Sequence, residues 1–303
     1  MGGLRLALSL FTVAPVRADR FDRATARVAM ALAPLAGALL GLVLGLLGWA
    51  AVALGAAPLL TAALLVGAAV LLTRALHVDG LADVADGLGS YAPPDRALEI
   101  MKKSDIGPFG VAAIALVLLV DAAALSSIIS GISDLSGASA SGAGAGGGVS
   151  GGADGAGGAG GGTGVGGAEA GGGGAVDAFL GALDRMPGAL HVVLVVVVAF
   201  AAGRLAATVA CRRGLPAARA EGLGALVAET VPLPLIAVSA LVIAGLAGLV
   251  DPVRGPVAVG AAVAVAWGLT AHARRRFGGV TGDVIGGAVE LSTMAALVVL
   301  ATA

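Results

Sequence analysis

The chain has 303 residues and a net charge of −1, with 58% of its residues hydrophobic and only 12% charged; its mean hydropathy is +1.01, whereas a soluble domain carries about a quarter of its residues charged. The near-neutral balance excludes the basic field that nucleic-acid binding requires, and the single cysteine, Cys211, excludes an intramolecular disulfide framework and a CxxC metal site. The expected fold is an all-α, polytopic membrane helical bundle, one domain over residues 1–303, with the lipid bilayer as its first partner.

Gly2 to Val16 carries one arginine and a short apolar run ending at Pro15, and basic residues follow. A cleavable leader places its charge first, so none is read there. Crossing roughly 30 Å of hydrocarbon takes about 20 apolar residues. Seven runs qualify: 28–55, 58–76, 110–131, 189–211, 231–250, 255–273 and 284–302. The first holds Gly37, Gly41, Gly45 and Gly48 at spacings of three and four, which lets helix backbones approach closely in lipid. Arg5, Arg17, Arg20, Arg23 and Arg27 cluster before or at the start of this run, while the turn at Ala56-Ala57-Pro58 is uncharged, so a cytoplasmic N-terminus is expected. Counting onward puts Arg74 to Lys103, Arg212 to Arg219 and Arg274 to Arg276 on that same side. Residues 136–175, nearly all Gly, Ala and Ser, fall on the other side and read as a flexible loop.

Directly after the second run comes His77-Val78-Asp79-Gly80-Leu81-Ala82-Asp83-Val84-Ala85-Asp86-Gly87. On a helix its three acids fall within roughly 60° of one another. Three like charges at a membrane boundary call for a cation, and hard oxygen ligands suit Mg²⁺ or Mn²⁺. His77 reads as a ligand, an acid or base, or an interfacial imidazole.

Arg96 and Lys102 precede the third span, Arg204 lies inside the fourth, where an ionisable group faces an interior, and Arg212, Arg213 and Arg219 follow it. Near the end of the chain, Asp283 and Glu290 are seven apart and share a helix face, with Gly286 and Gly287 between them, so a cavity with acid walls is expected. Cations facing metal-binding acids suit the oxygens of a phosphate group.

In these motifs, and in Leu98 to Gly107, Ala218 to Gly224 and Gly278 to Asp283, the chain resembles the cobalamin synthase family, the adenosylcobinamide-GDP ribazoletransferases; Leu8 to Val16 is similar to that family's start. It departs from the family's usual Lys-Asp-Ser-Arg at Lys102-Lys103-Ser104-Asp105. The resemblance implies attack by the 5′-hydroxyl of α-ribazole, or of its 5′-phosphate form, on the cobinamide-side phosphorus of adenosylcobinamide-GDP. GMP leaves, and adenosylcobalamin or its phosphate forms. Asp79, Asp83, Asp86, Asp283 and Glu290 would hold Mg²⁺. Asp86, Asp83 and His77 are the catalytic candidates, with Asp86 as base. Arg96, Lys102, Arg204, Arg212, Arg213, Arg219, Glu221 and Thr281 are the candidates for substrate contact. The active site would face the cytoplasm from a multi-pass cell-membrane protein, either as a homo-oligomer or assembled with other cobamide-pathway enzymes. The rival readings are a membrane phosphotransferase of the CDP-alcohol type and an ion-coupled transporter.

Overall fold

A computed structural model describes residues 2–16, 22–143 and 186–302, and these are helical apart from turns and two isolated bridges. The helices are α1 (Gly2–Phe11), α2 (Arg23–Ala31), α3 (Ala33–Ala53), α4 (Pro58–Leu72), α5 (Leu76–Gly89), α6 (Pro94–Ile100) and α7 (Pro108–Ala143), then α8 (Met186–Ala210), α9 (Leu223–Val227), α10 (Leu233–Gly248), α11 (Arg254–Phe277) and α12 (Gly282–Ala301). Each of the seven apolar runs becomes helix. Among the described residues, five segments are long and apolar enough to cross a membrane: Ala33–Ala53, Pro108–Gly131, Leu190–Ala210, Arg254–Phe277 and Gly282–Ala301. The bent pair α4 and α5 qualifies jointly, and α10 is an apolar helix of 16 residues. The lipid-side surface carries Leu59, Leu116, Leu119 and Leu241, all more than 60% exposed. Water would not tolerate such a surface; hydrocarbon does. Of the expected 136–175 loop, α7 occupies the part up to Ala143, and residues 144–175 lie outside the described residues.

The first run is not one helix. Asp22 caps α2 by accepting the Thr25 N–H at 2.8 Å, and the helix stops before Leu32, two residues ahead of Pro34. Proline lacks an amide hydrogen and crowds the preceding turn, which favours a break there.

The glycine ladder explains the contact of α3 with α8. A Cβ on Gly41 would lie 2.7 Å from the Val197 Cα, and one on Gly45 would lie 2.8 Å from the Val193 Cα. The two backbones touch where side chains are missing, and Leu44, Val196 and Leu205 fill the adjoining core.

A second break decides the site. Between α4 and α5 the chain turns by 88°, with Arg74 and Ala75 both left-handed at φ 56° and 54°. Neither is glycine, so the turn costs roughly 1 kcal/mol or more per residue and survives because its surroundings enforce it. Val13 donates its amide to the Leu72 carbonyl at 2.7 Å, and the Arg74 guanidinium donates to the Ser9 carbonyl at 2.8 Å. Helix α5 is thereby set nearly perpendicular to α4. It then crosses α12 at glycines. A Cβ on Gly80 would lie 2.9 Å from the Asp283 carbonyl oxygen, and one on Gly286 would lie 3.2 Å from the His77 Cα.

Candidate active site

That crossing is what brings separate motifs together. The backbone of α5 packs against Gly286 and Gly287, and of the expected acid-walled cavity Glu290 lines one pocket while Gly286 and Asp283 line another. The cavity, of about 300 Å³, opens beside the crossing. Its polar wall holds His77 and Asp79 from α5, Arg219 and Glu221 from the loop after α8, and Thr281 and Asp283 from the start of α12. Much of the remaining lining is apolar, including Leu10, Phe11, Met30, Leu76 and Ile285.

Backbone pairing holds the two loops in place. Ala218 donates to the Val280 carbonyl and Val280 donates to the Pro216 carbonyl, each at 2.9 Å. Gly224 lies against the loop, where a Cβ would come within 2.8 Å of the Val280 carbonyl oxygen. Thr281 caps α12 by accepting the Val284 N–H at 3.2 Å, and its hydroxyl donates to the Asp283 carboxylate at 3.2 Å. Arg219 stands 3.6 Å from Asp283 and donates to the Leu98 carbonyl at 2.7 Å, while its buried Nε has no partner.

Asp83 lies one turn beyond Asp79 at the edge of this cluster. Burial, and then the charges of Asp283, Asp79 and Asp86, push its carboxyl up to about 7, against a smaller opposing pull from Arg219. Asp86 is nearby but differently engaged: its two oxygens accept the Gly107 and Gly110 amides at 2.7 and 2.9 Å, closing the start of α7. His77 is buried and stacks on Phe11, with ring centroids 5.4 Å apart and planes inclined by 16°. Burial, helped by the Arg204 charge, lowers its pKa to about 3, so the imidazole is neutral.

The other expected residues lie elsewhere. Arg96 forms an exposed pair with Glu99 at 2.8 Å, and Lys102 and Arg213 are exposed. Arg212 is buried, donating to Thr270 at 2.7 Å with its guanidinium 4.1 Å over the Trp267 ring. Arg204 and Glu290 line a separate cavity of about 20 Å³ within the bundle, together with Asp121. Asp121 was missed in the sequence reading, although an acid inside the third apolar run was visible there. Phe11 was also missed, because nothing in a short apolar run signals a ring partner 66 positions away.

The carboxylates fit Mg²⁺ on the chemistry of the donor set. Asp79, Asp83 and Asp283 offer only hard oxygens, and the charges of Asp283 and Asp79 add to burial in raising the Asp83 carboxyl. Among the described residues no three His, Cys, Asp or Glu side chains form a ready-made cage. Asp86, held by two amides, is fitted to position the 101–107 loop. Asp86→Ala is expected to cost about 1–2 kcal/mol, seen as a lower thermal midpoint.

Residues 3–146 and 161–301 match the family model described as Cobalamin-5-phosphate synthase, leaving unmatched a stretch inside the Gly-rich segment. The chain is 36% identical to a protein of Frankia casuarinae named adenosylcobinamide-GDP ribazoletransferase, over 98% of this chain and 93% of that one. Proteins of the same name from a Nocardioides species and from Corynebacterium efficiens are 34% and 32% identical, over 97% and 99% of this chain and 95% and 91% of theirs. No solved structure matches the chain.

Proposed function

The chain belongs to the cobalamin-5-phosphate synthase family, and from that premise we propose that it transfers the adenosylcobinamide phosphate moiety of adenosylcobinamide-GDP to a ribose hydroxyl of α-ribazole or its 5′-phosphate. GMP is released and adenosylcobalamin or its 5′-phosphate is formed. The family description names a 5-phosphate product. A nucleoside already phosphorylated at its 5′ oxygen cannot attack through it, so the nucleophile is a secondary ribose hydroxyl in place of the 5′-hydroxyl expected from the sequence. The observation that carries this reading is the single cavity into which Asp79, Arg219 and Asp283 project from three distant segments.

The hydroxyl oxygen attacks the cobinamide-side phosphorus, the bond from that phosphorus to the oxygen of GMP breaks, and the hydroxyl proton passes to a carboxylate. Asp83 takes that proton, because a base whose pKa lies near 7 both holds its ionised form and accepts readily. Asp79 and Asp283 would hold Mg²⁺, which when bound would neutralise the charge of the diphosphate. Arg219, anchored to Leu98 with its Nε free, pairs with the phosphate of the departing GMP. A phosphate monoester has its second pKa at about 6, so GMP departs as an anion without a general acid. Alignment and charge compensation supply most of the acceleration.

The same end of the bundle gathers its cationic loops: Arg23 donates to the Ala225 and Ala228 carbonyls, Arg276 to that of Ala92, and Arg74 to that of Ser9. The positive-inside bias makes this the cytoplasmic end of a cell-membrane protein.

Membranes containing the protein, incubated with adenosylcobinamide-GDP, α-ribazole and Mg²⁺, are expected to yield GMP and a complete cobamide. Vesicle uptake of a cation or substrate with no GMP release would instead identify a transporter.

A further inference from the structure

The cavity has an apolar half that the phosphate chemistry does not use. Leu10 and Phe11 come from α1, Met30 from α2 and Leu76 from the first residue of α5. The two N-terminal helices contribute no acid or cation to the polar wall. They hold one flat element: the Phe11 ring lies nearly parallel to the His77 imidazole. His77 is buried, lines the cavity, and has an Nδ1 with no hydrogen-bond partner.

We infer that this apolar half seats the aromatic base of the nucleoside that supplies the attacking hydroxyl, so that α1, α2 and Leu76 set the preference for that base. The inference rests on the transferase reading above and goes beyond it by placing one substrate within the site. Size is the first argument. About 300 Å³ lies at the small end of ligand pockets, enough for a nucleoside but far too small for a corrinoid macrocycle with its amide arms. The corrinoid therefore stays outside, and only its diphosphate reaches in.

Polarity is the second argument. A nucleoside has an apolar face at its base and hydroxyls at its sugar. With the base against Leu10, Met30 and Leu76, the ribose points to the wall of Asp79, Thr281 and Asp283, whose two carboxylates act by their charges on the proton-accepting Asp83. The reverse orientation would bury hydroxyls against aliphatic side chains and leave carboxylates facing a ring, which is costly for both. The unpartnered Nδ1 belongs to His77, next in sequence to Leu76 and a lining residue of the same cavity, and can hydrogen-bond either a base nitrogen or the sugar.

The test uses Leu10 and Leu76, because both line the cavity and neither is fully buried. Leu10→Ala and Leu76→Ala are assayed in the full-length protein with α-ribosides of dimethylbenzimidazole and of unsubstituted benzimidazole. The expected result is a KM for the dimethylbenzimidazole riboside raised about tenfold, on the scale of a lost hydrophobic contact. A smaller rise is expected for benzimidazole, with kcat and the KM for adenosylcobinamide-GDP unchanged. Calorimetric titration of the riboside without Mg²⁺ should show the same fold-change in affinity. Equal effects on the two bases, or a change confined to adenosylcobinamide-GDP, would overturn the placement. If the wild-type protein releases no GMP from adenosylcobinamide-GDP while still binding the riboside in the Leu10-dependent way, the transferase reading fails and the base seat survives. If the wild-type protein releases GMP and the variants match it in every constant, the base seat alone fails.

Discussion

Asp83→Asn is expected to lower transferase turnover by ~10²–10⁴-fold, the usual contribution of a positioned base, without lowering the thermal midpoint. The two halves of this outcome have one cause. The fold holds Asp83 at about 7, well above its ordinary 3.8, through burial and the charges of Asp283, Asp79 and Asp86. A group whose folded pKa is raised favours the native state while it is protonated, and that contribution disappears as the pH rises through 7. At pH 8 the wild-type protein therefore carries a repulsion that the asparagine lacks, and the variant should melt at the same temperature or higher. A gain in stability on losing activity marks a residue kept for chemistry.

The pH profile follows from the same sign. The reacting form is the carboxylate, so kcat/KM of the wild-type enzyme should rise with pH up to about 7 and then level off. Raising Mg²⁺ should move that midpoint downward, because cation and proton compete for one excess of negative charge. Asp86→Asn should remain far more active than Asp83→Asn, since one amide bond to the 107–110 segment persists. If Asp86→Asn is as inactive as Asp83→Asn, the base is Asp86.

The second large effect lies in the middle of the bundle. Arg204 is 1% exposed, donates to the Thr293 hydroxyl at 3.4 Å and sits 4.8 Å over the Phe200 ring, facing Asp121 and Glu290 across the small cavity. Arg204→Met should cost about 3–5 kcal/mol, because it strands two buried acids without a cation. In detergent this is a fall of on the order of 10 °C in thermal midpoint. Adding Glu290→Gln to Arg204→Met should restore part of the loss. The KM values of whatever enzyme survives should stay near those of the wild type, since Arg204 does not line the 300 Å³ cavity. A variant that melts with the wild-type protein but loses affinity for adenosylcobinamide-GDP would return Arg204 to the substrate site.

Much of the bundle was legible before any fold was known. Hydrophobic runs of spanning length read directly as helices, because in lipid the backbone must satisfy its own hydrogen bonds. The Gly37 to Gly48 ladder read correctly as a close-packed face for the same local reason, although its partners, residues 193–204 for Gly37, Gly41 and Gly45 and Leu65 for Gly48, did not. Legibility was poorer among the cations. Arg96, Lys102, Arg212, Arg213 and Arg219 all looked alike as basic residues near loops, and only Arg219 reaches the cavity wall. Charge and spacing show which side of a membrane a residue occupies; they do not show whether it faces a pocket, a tryptophan or water.

The sequence by itself determined the helices and the acid face of α5, since each follows from neighbours within about two helical turns. The tertiary structure decided which of those groups act together. The strained turn at Arg74 and Ala75 swings α5 by 88°, and the glycine contact between Gly80 and Asp283 then joins residues some two hundred positions apart. It also separated Glu290 from Asp283: two turns along one helix put the first in the bundle with Arg204 and Asp121 and the second in the cavity with Arg219. A helix face is fixed by local periodicity, but what covers that face depends on helices distant in sequence, and only their packing supplies it.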